Sequence, residues 1–588
     1  MRNENARWRQ RHSLRPQGSD SKARAPVSMS PVAPATRNCS GRGGSAKLFA
    51  TCCIAAAWAA GIFAAVDPAT AQSGADKSLA SCPARQPILR VAGVMTEEFS
   101  PHPVETRFAS THYSRLYLTP LFGADPWEEK VDARYGLAES WKLLPGAKGI
   151  EIKLRAGITH NNGEPMTARD VAFSVELFSS KFAEDQMSAA LRGIGLKTEV
   201  IDDLNLRIVF NKGMVTFAEE FSTLVFPLYV TSAKHHSNGE ISQEAVDRFK
   251  ASPLAAGPYR VVAREAQRFI TLEAVRKDPL LGCPKYERIE IRNLPETGTR
   301  MAQFRTGSLD VIAGNRDLIA QAKSVGASIV EKPANNMIGL YMFQTHLDNS
   351  VFKDVRVRKA AAHAIDHQLL AETIWKSTGV EPWGCTWPPS TEISRANPAY
   401  TKACSTPYPY DPAKAKQLMA EAGHGATKPA IKLVYWGNYP EEPALAEAMQ
   451  PMLNAVGFNA TVEKVERVEY SRRMKTNGYA NSIMFFGPGG RTTSLSGSYF
   501  VYSGAMGPAN DEDVKGALAR ASGAATMEEY MAATAEIARY SHERAYSPGF
   551  FAAASIFFVK KGISDWGLKR SRGRGPLNLQ PLVADLKP

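Results

Sequence analysis

The sequence predicts an α/β protein with more than one domain. Its 588 residues are too many for one compact core. Hydrophobic residues make up 44% and charged residues 22%, which is typical of a soluble globular protein and excludes disordered and collagen-like classes for most of the chain. Short strand-like runs alternate with helical patterns after residue 80. Because no internal repeat or low-complexity linker occurs there, we expect domains that pass the chain back and forth.

Six short apolar runs between the helical segments are predicted to be strands. They are residues 150–154, 206–209, 270–274, 338–343, 431–435 and 483–486.

The predicted helices are marked by capping residues and by apolar positions at helical spacing. One begins after Thr167, and another begins at Pro412 and ends at Gly423. Residues 356–374 are predicted to be helical with a single apolar face. That face consists of Val357, Ala360, Ala361, Ala364, Ile365 and Leu369.

Residues 1–71 are predicted to be a leader that is removed. Residues 1–46 are rich in Arg, Ser, Pro and Gly, an apolar stretch follows at 48–66, and the small residues of 69–71 form a cleavage signature. This pattern is typical of a secretory signal peptide. A transmembrane anchor is the alternative, because about 18 apolar residues can cross a bilayer. The Ala-rich run and the cleavage signature favour the signal peptide. Met29 is an alternative start.

The net charge of +13 belongs partly to this leader. The leader carries 10 Lys and Arg against 3 Asp and Glu, so its removal lowers the net charge to +6. A second basic cluster at 569–574 is predicted to be a solvated surface loop. Nucleic-acid binders carry a clustered basic face with interleaved aromatic residues, and the sequence shows none beyond this tail. We therefore expect no nucleic-acid partner.

Four of the seven cysteines follow the leader: Cys82, Cys283, Cys385 and Cys404. An even number is expected of an oxidising compartment. Three pairings are open. The preferred one joins Cys82 to Cys283, which each precede a strand-like run, and Cys385 to Cys404, which bracket a Pro-rich loop. No C-x-x-C motif occurs, which disfavours a zinc ribbon or a thioredoxin-type site.

Five segments carry motifs that occur in the same order in one known family. Residues 150–176, IEIKLRAGITHNNGEPMTARDVAFSVE, contain a strand, a turn and a helix start, with Asn162 where Asp is usual. The other segments are AGPY at 256–259, FRTGSLD at 304–310, FKDVRVRKAAAHAID at 352–366 and YDPAKAKQLMAEAG at 410–423. Together they resemble the family 5 extracellular solute-binding proteins of bacterial ABC importers, which include dipeptide-, oligopeptide- and nickel-binding proteins.

The resemblance implies an α/β clamp of the type II, cluster C-like periplasmic-binding-protein class. It has two lobes, an extra small domain packed on the first lobe, and a hinge of two crossing strands near 338–343 and 552–559. The implied parts are lobe I at 80–118, 250–338 and 549–588, the small domain at 119–249, and lobe II at 339–548.

The resemblance also implies an exported receptor, not an enzyme, that acts as a monomer in the periplasm. It captures a peptide, a peptide-like or another organic solute by hinge closure and delivers it to permease subunits in the inner membrane. The alternative is an exported hydrolase acting on a small organic substrate. However, no GxSxG, HExxH or SxxK motif follows the leader. His363 and His367, spaced i, i+4, lack the intervening Glu of a zinc motif. We therefore expect no catalytic residue, cofactor or metal.

The binding site is expected between the lobes. In peptide binders of this family, an Asp in the region of residues 479–493 typically pairs with the α-amino group of the ligand. This chain has Gly-Pro-Gly-Gly at 487–490, without a carboxylate, and an unpaired ammonium is costly to bury. An N-blocked, opine-like, glycosylated or otherwise acidic solute is therefore favoured, and nickel in a small chelator is a further alternative. Arg491 is a candidate for an acidic group. Glu105 lies where peptide-binding relatives place a ligand-contacting acid.

Aromatic residues complete the predicted site, because their faces suit sugars, rings and side chains. The candidates are Tyr341, Trp383, Trp436, Phe485 and Phe486. Core packing is the alternative for each of them, and a surface position is the alternative for Arg491.

Overall fold

The structure is a computed structural model of the chain. It describes residues 77–93, 99–105, 111–127, 130–183, 186–223, 227–385, 397–437, 439–466, 469–470, 472–473, 476–487, 511–563, 579 and 584. All of them belong to one compact unit, Val66–Pro588. No helix in these ranges is long and apolar enough to cross a membrane. The leader predicted at 1–71 and the basic cluster at 569–574 lie outside the described residues.

The described strands and helices follow one another along the whole chain. The strands are β1 Gln86–Gly93, β2 Thr119–Pro120, β3 Ala138–Leu143, β4 Gly149–Leu154, β5 Leu196–Val200, β6 Asn205–Phe210, β7 Tyr229–Val230, β8 Tyr259–Glu265, β9 Phe269–Ala274, β10 Tyr286–Asn293, β11 Val311–Ala313, β12 Ser328–Met342, β13 Val380–Pro382, β14 Ala430–Tyr435, β15 Asn459–Lys464, β16 Ser482–Gly487 and β17 Gly549–Val559. The helices are α1 Thr111–Ser114, α2 Ala168–Ser179, α3 Gln186–Ile194, α4 Phe217–Glu220, α5 Gln243–Ala251, α6 Thr297–Arg305, α7 Ile319–Ser324, α8 Val355–Ala364, α9 His367–Thr373, α10 Pro398–Cys404, α11 Pro412–Glu421, α12 Glu442–Ala455, α13 Glu512–Gly523 and α14 Met527–Glu543. All six predicted strands are confirmed.

One sheet of eleven described strands organises the molecule. Its order is β15-β14-β16-β12-β17-β11-β1-β10-β9-β8, and β13 also pairs with β17. We call the strands β1 and β8–β11 the β1 side, and the strands β13–β16 the β14 side. The antiparallel strands β12 and β17 belong to both sides, because they pair from Ser328 with Val559 to Gly339 with Gly549. The predicted pair of crossing strands is therefore confirmed.

Separate apolar cores lie on the two sides of the crossing strands. On the β1 side, Leu89 and Val91 of β1 are paired in register with Ile289 and Ile291 of the parallel strand β10, and all four are buried. On the β14 side, buried residues of β12, β14, β16 and β17 form another core with helices α8, α11 and α12. Alternate residues of each strand face these cores, which is why the short apolar runs are recognisable in the sequence.

A four-stranded antiparallel sheet, β3-β4-β6-β5, forms a further unit with its own core. Helix α2 begins where the capping box predicts, since the backbone N–H of Thr167 donates to Asp170 Oδ2 at 2.8 Å. The preceding turn needs Gly163, whose φ is +86°. Asn162 fits this turn, because its Oδ1 accepts a hydrogen bond from the N–H of Glu164 at 3.1 Å. Its departure from the family motif therefore preserves the turn.

The single apolar face predicted over residues 356–374 is confirmed from Val357 to Ile365, where its members are buried in one core, and is wrong at Leu369. Helix α8 ends at Ala364, and the extended backbone of Ile365 separates it from α9. Asp366 then caps α9 by accepting from the N–H of Leu369 at 2.9 Å. The break changes the rotation between the helices, so Leu369 is 43% exposed and Leu370 is buried.

Both preferred disulfides are present in the structure. Cys82 is bonded to Cys283 and Cys385 to Cys404. The first disulfide joins the chain just before two neighbouring parallel strands, β1 and β10. The second joins the segment after β13 to the end of α10. The pairing left open by the sequence is therefore confirmed by the fold.

Candidate functional site

The parallel strands on the two sides of the sheet point their carboxyl ends toward each other. Strand β12 runs from the β1 side to the β14 side, and β11 runs the same way because both are antiparallel to β17. Strands β1 and β10 are parallel to β11. Strand β16 runs the opposite way, and β14 and β15 are parallel to it. Since ligands of open α/β sheets bind beyond the carboxyl ends of strands, the candidate site lies between these two edges.

The loops after β11 and β14 meet across this space. Arg316 is the third residue after β11, and Glu441 is the sixth after β14. Arg316 Nη1 lies 3.8 Å from Glu441 Oε1. Sequence reasoning missed both residues, because 125 positions separate them and neither belongs to a motif.

The Arg316 guanidinium is buried and is held mainly by neutral oxygen atoms. Its Nη2 donates to the carbonyl oxygen of Ala554 on β17 at 3.0 Å, and its Nε donates to Thr378 Oγ1 at 3.2 Å. Burial lowers the pKa of the guanidinium, and Glu441 and Glu331 oppose that shift. The side chain thus connects a loop of the β1 side with β17 and with the chain before β13.

The Glu441 carboxyl group is largely shielded from water, with 13% of its side chain exposed. Burial raises its pKa to about 7, although Arg316 and Arg300 favour the charged form. A carboxyl group with this pKa can gain or lose a proton near neutral pH.

The crossing strands carry buried polar residues in the same region. Lys332 is fully buried, and Asn336 is 4% exposed. Asn336 Nδ2 donates to Ser555 Oγ on the neighbouring strand at 2.7 Å. A lysine and an asparagine that are buried in a crossing strand are unusual, since such residues are mostly exposed.

Three predicted ligand residues follow the carboxyl ends of parallel strands. Glu105 follows β1, Trp436 follows β14 directly, and Arg491 follows β16. Phe486 is the second-last residue of β16. The backbones of Glu105 and Phe486 are described, whereas their side chains and the whole of Arg491 lie outside the described part of the chain.

Trp436 and Tyr341 lie in one aromatic cluster on the β14 side. Trp436 is half-buried, and its ring stands edge-on to Tyr470 with the centroids 4.4 Å apart. Tyr341 is 3% exposed and packs in the same cluster with Phe343 and Tyr479. This cluster lies on the face of the sheet opposite the helical core, so the structure brings these two predicted residues together.

Trp383 and Phe485 are placed elsewhere. Trp383 is 4% exposed and packs beside Cys385 and Tyr400, among residues of α13 and α14. Phe485 has no exposed surface and lies in the core of the β14 side with Leu433. Neither side chain offers surface to a ligand in this conformation, and both positions match the packing alternative.

Two buried histidines fix the segment that carries Glu105. His102 Nε2 lies 3.0 Å from His236 Nε2. The backbone N–H of Val104 donates to His102 Nδ1 at 3.2 Å, which assigns the proton of His102 to Nε2 and makes His236 the acceptor. Burial lowers the pKa of both rings, so the pair is neutral at pH 7.

No three His, Cys, Asp or Glu side chains within the described ranges lie close enough to hold a metal ion. His363 and His367 fall on separate helices. His363 Nδ1 lies 2.9 Å from the carbonyl oxygen of Pro409, and His367 stacks on Phe550. The i, i+4 spacing in the sequence therefore does not create a shared binding face.

One protein family matches more than half of the chain. Residues 132–508 match the family described as bacterial extracellular solute-binding proteins, family 5 middle. The chain belongs to this family. All five segments on which the resemblance rests lie inside the matched range, so the predicted resemblance is confirmed.

Curated relatives of the family 5 chain carry names of binding proteins. The chain is 23% identical over 352 residues to an ABC transporter peptide-binding protein of Brucella ovis, and the match covers 59% of this chain and 63% of that protein. It is 25% identical over 370 residues to heme-binding protein A of Haemophilus influenzae, covering 59% of this chain and 64% of that protein. Each match thus spans less than two thirds of the relative.

Solved structures share the fold of the family 5 chain at low sequence identity. NikZ from Campylobacter jejuni in complex with Ni(L-His) has a TM-score of 0.70 and 17% identity, covering 84% of this chain and 99% of that one. DppA from Helicobacter pylori in complex with peptide STSA has a TM-score of 0.70 and 18% identity, covering 85% of this chain and 98% of that one. MoaA from A. tumefaciens R10 in complex with mannopinic acid has a TM-score of 0.68 and 19% identity, covering 85% of this chain and 99% of that one. The predicted class, a two-lobed type II periplasmic-binding-protein clamp, is confirmed.

Proposed function

We propose that the family 5 chain is the exported receptor of an ABC importer, which captures a small organic solute and releases it unchanged to a permease. The observation that carries this proposal is the pair of facing strand edges on either side of β12 and β17. Two lobes joined by two long strands can open and close by small changes in those strands. Ligand sites favour such interfaces.

The proposed domain boundaries are based on the same sheet. We assign residues 80–118, 250–338 and 549–588 to lobe I, which contains the β1 side, and 339–548 to lobe II, which contains the β14 side. Residues 119–249 form the small domain. The separate apolar cores support this division, although Ile338, Phe550, Phe551 and Ala553 of the crossing strands pack in the core of the β14 side. Strands β12 and β17 are then the hinge.

The proposed ligand is a peptide-like or other organic solute, and an acidic or N-blocked one is favoured. The sequence Gly-Pro-Gly-Gly at 487–490 offers no carboxylate to an ammonium group, whereas Arg491 offers a guanidinium to an acid. The related structures hold a peptide, a nickel chelate and mannopinic acid, which are different ligands on one fold.

The proposed contacts come from loops at the facing edges. Glu105, Trp436, Phe486 and Arg491 are assigned to the ligand, and Tyr341 is assigned to the aromatic cluster that contains Trp436. Trp383 and Phe485 are assigned to packing around these loops, because neither is exposed. We further propose that the chain works in the periplasm as a monomer after cleavage of the leader. The two disulfides agree with an oxidising compartment.

Native mass spectrometry of the mature protein purified from its host tests this function. A closed receptor is expected to retain a non-covalent adduct whose mass names the ligand class. Trp436→Ala and Arg491→Ala are expected to lower adduct occupancy, since truncation of an aromatic or arginine anchor typically weakens binding by about 2 kcal/mol. Tyr410→Ala, at a residue that is 47% exposed, is the control and should keep the adduct.

Two results would change the assignment. Unchanged occupancy in both the Trp436→Ala and the Arg491→Ala variants would remove these residues from the site. Turnover of a chromogenic ester or peptide by the purified protein would instead support the alternative, an exported hydrolase.

A further inference from the structure

The two crossing strands lose their regular pairing at one level. Lys332 of β12 is opposite Ser555 of β17, and Asn336 of β12 is opposite Ala553. Four steps along β12 therefore match two steps along β17, so β12 carries two extra residues at this level. A bulge of this kind interrupts the ladder of hydrogen bonds and bends the strand. The bend lies where the crossing strands pass from the core of the β1 side to the core of the β14 side.

The other edge of β17 also lacks a described strand at this level. Strand β11 pairs with β17 after Ile556, and β13 pairs with β17 before Ala554. Single loop residues contact the backbone between them. The N–H of Gly314 donates to the carbonyl oxygen of Ile556 at 2.9 Å, and the N–H of Ala554 donates to the carbonyl oxygen of Gly379 at 2.7 Å. Gly314 belongs to proposed lobe I and Gly379 to proposed lobe II.

The Arg316 guanidinium fills the gap between these two loops. Its Nη2 donates to the carbonyl oxygen of Ala554 at 3.0 Å, and its Nε donates to Thr378 Oγ1 at 3.2 Å. Its Nη1 lies 3.8 Å from Glu441 Oε1. Arg316 belongs to lobe I, whereas Thr378 and Glu441 belong to lobe II. Because a guanidinium is planar and holds its N–H donors in fixed directions, one side chain sets the spacing of these groups beside the bend.

The turn of lobe II that receives Arg316 has an unusual backbone. Lys376, Ser377 and Gly379 have φ values of +54°, +55° and +61°. Such a conformation is costly for residues other than glycine and persists only where the surrounding contacts hold it. A Cβ atom on Gly379 would lie 2.7 Å from Ala554 Cβ and 3.4 Å from Arg316 Nη2. The turn therefore packs tightly against both the crossing strand and the guanidinium.

We propose that Arg316 is a positioning residue that limits the range of separations between the two lobes, so that the ligand-contacting loops on their facing edges keep a defined spacing. This inference rests on the proposed function, because it takes the crossing strands as the hinge. It concerns how widely the lobe separation varies, and not which separation is the closed one. Without the guanidinium, Ala554 and Thr378 lose their common donor, and the bulged part of the hinge bends over a wider range.

Double electron–electron resonance on ligand-free protein measures this range. Spin labels are attached at Ala302→Cys on α6 of lobe I and at Ala413→Cys on α11 of lobe II, both at exposed positions. The four native cysteines do not take up label, because all of them form disulfides. Bound ligand is removed by unfolding in guanidinium with the disulfides intact, followed by refolding.

Arg316→Lys keeps the positive charge but has no planar fork of donors. It should convert a narrow wild-type distance distribution into a broad one. The equilibrium between the wild-type separation and other separations should shift about tenfold or more, as expected when a hydrogen bond to a charged group is lost.

Two further variants separate positioning from charge. Thr378→Val removes the oxygen that accepts from Arg316 Nε and should broaden the distribution less than Arg316→Lys does. Arg264→Gln, at an exposed position of β8, removes a positive charge away from the hinge and should follow wild type.

Two outcomes would overturn the inference. One is an unchanged distance distribution in Arg316→Lys, even where urea unfolding shows lower stability, because Arg316 would then only pack its loop. The other is an unchanged distribution in Thr378→Val, a result that does not depend on the folding of an Arg316 variant. Dipeptides or mannopinic acid added to wild type test the proposed function separately. Chemical conversion of the added solute would reject the receptor function, whatever the Arg316→Lys distribution shows.

Discussion

His102 Nε2 and His236 Nε2 lie 3.0 Å apart in a buried contact that connects two distant parts of the chain. Phe249 packs edge-on against His102 with the ring centroids 5.0 Å apart. Burial, then the neighbouring His236 and Lys250, lower the pKa of His102. The contact holds the segment that leads to Glu105, so its protonation state affects both stability and the predicted site.

Acidification below about pH 6.5 is expected to destabilise the fold through this pair. The pKa of an unfolded histidine is about 6.5, and the pKa values of His102 and His236 in the folded protein are lower. The unfolded chain therefore binds protons that the folded chain does not, and the free energy of unfolding falls as the pH drops toward the folded pKa. The thermal midpoint, followed by circular dichroism, should be lower at pH 5 than at pH 7.

Neighbouring histidines provide the control for this prediction. His236→Gln keeps a neutral polar side chain and should lose part of the acid-dependent fall in thermal midpoint, because buried His160, whose pKa is lowered to about 4, contributes the rest. His235→Gln, on the exposed neighbour, should retain it. If the thermal midpoint falls equally steeply with decreasing pH in wild type and in His236→Gln, the histidine pair does not contribute to that fall.

The two disulfides are expected to contribute unequally to stability. The Cys82–Cys283 disulfide spans 201 positions, whereas Cys385–Cys404 spans 19. In the chain-entropy account, removing the first costs about 5 kcal/mol and removing the second about 3 kcal/mol. Urea unfolding of the double Cys→Ala variants measures both losses. A larger loss for the shorter loop would contradict this order.

Phe485 and Trp436 should respond to truncation in opposite ways. Phe485 is completely buried in a packed core, so Phe485→Ala should lower the free energy of unfolding by about 3–5 kcal/mol. Trp436 is half-buried at the edge of a cluster, so Trp436→Ala should cost less stability but reduce adduct occupancy. Urea unfolding and native mass spectrometry measure the two effects. If Phe485→Ala kept its stability but lost the adduct, Phe485 would have to be reassigned from core packing to ligand contact.

Adjacent leucines in α9 test the corrected break between α8 and α9. Leu370 is buried, so Leu370→Ala should cost about 2–5 kcal/mol. Leu369 is 43% exposed, so Leu369→Ala should stay within about 0.5 kcal/mol of wild type. Urea unfolding compares them directly. If Leu369→Ala lowered the free energy of unfolding more than Leu370→Ala does, the result would support a continuous helix with the predicted apolar face.

Local patterns made the strands and capped helices predictable. Thr167 and Gly423 act within a few residues of themselves, so their effect is visible in the sequence. The break at Ile365 was hidden, because apolar residues continue at helical spacing on both sides of it. The helix cap formed by Asp366 was the competing signal.

Long-range contacts in the candidate site could not be obtained from periodicity. Trp436 was predicted because it follows a recognisable strand. Arg316 and Glu441, by contrast, meet only because β11 and β14 point toward each other in the folded sheet. The pair of His102 and His236 likewise joins residues 134 positions apart. Such contacts depend on strand order, which the residue pattern alone does not determine.

Small-angle scattering of the ligand-free mature protein, combined with mass analysis of each added solute, tests whether the two lobes close on a solute that is released chemically unchanged. At least one peptide or acidic organic solute is expected to reduce the radius of gyration and to be recovered with its mass unchanged. A radius of gyration that stays constant across a broad panel, together with chemical conversion of one member, would contradict it.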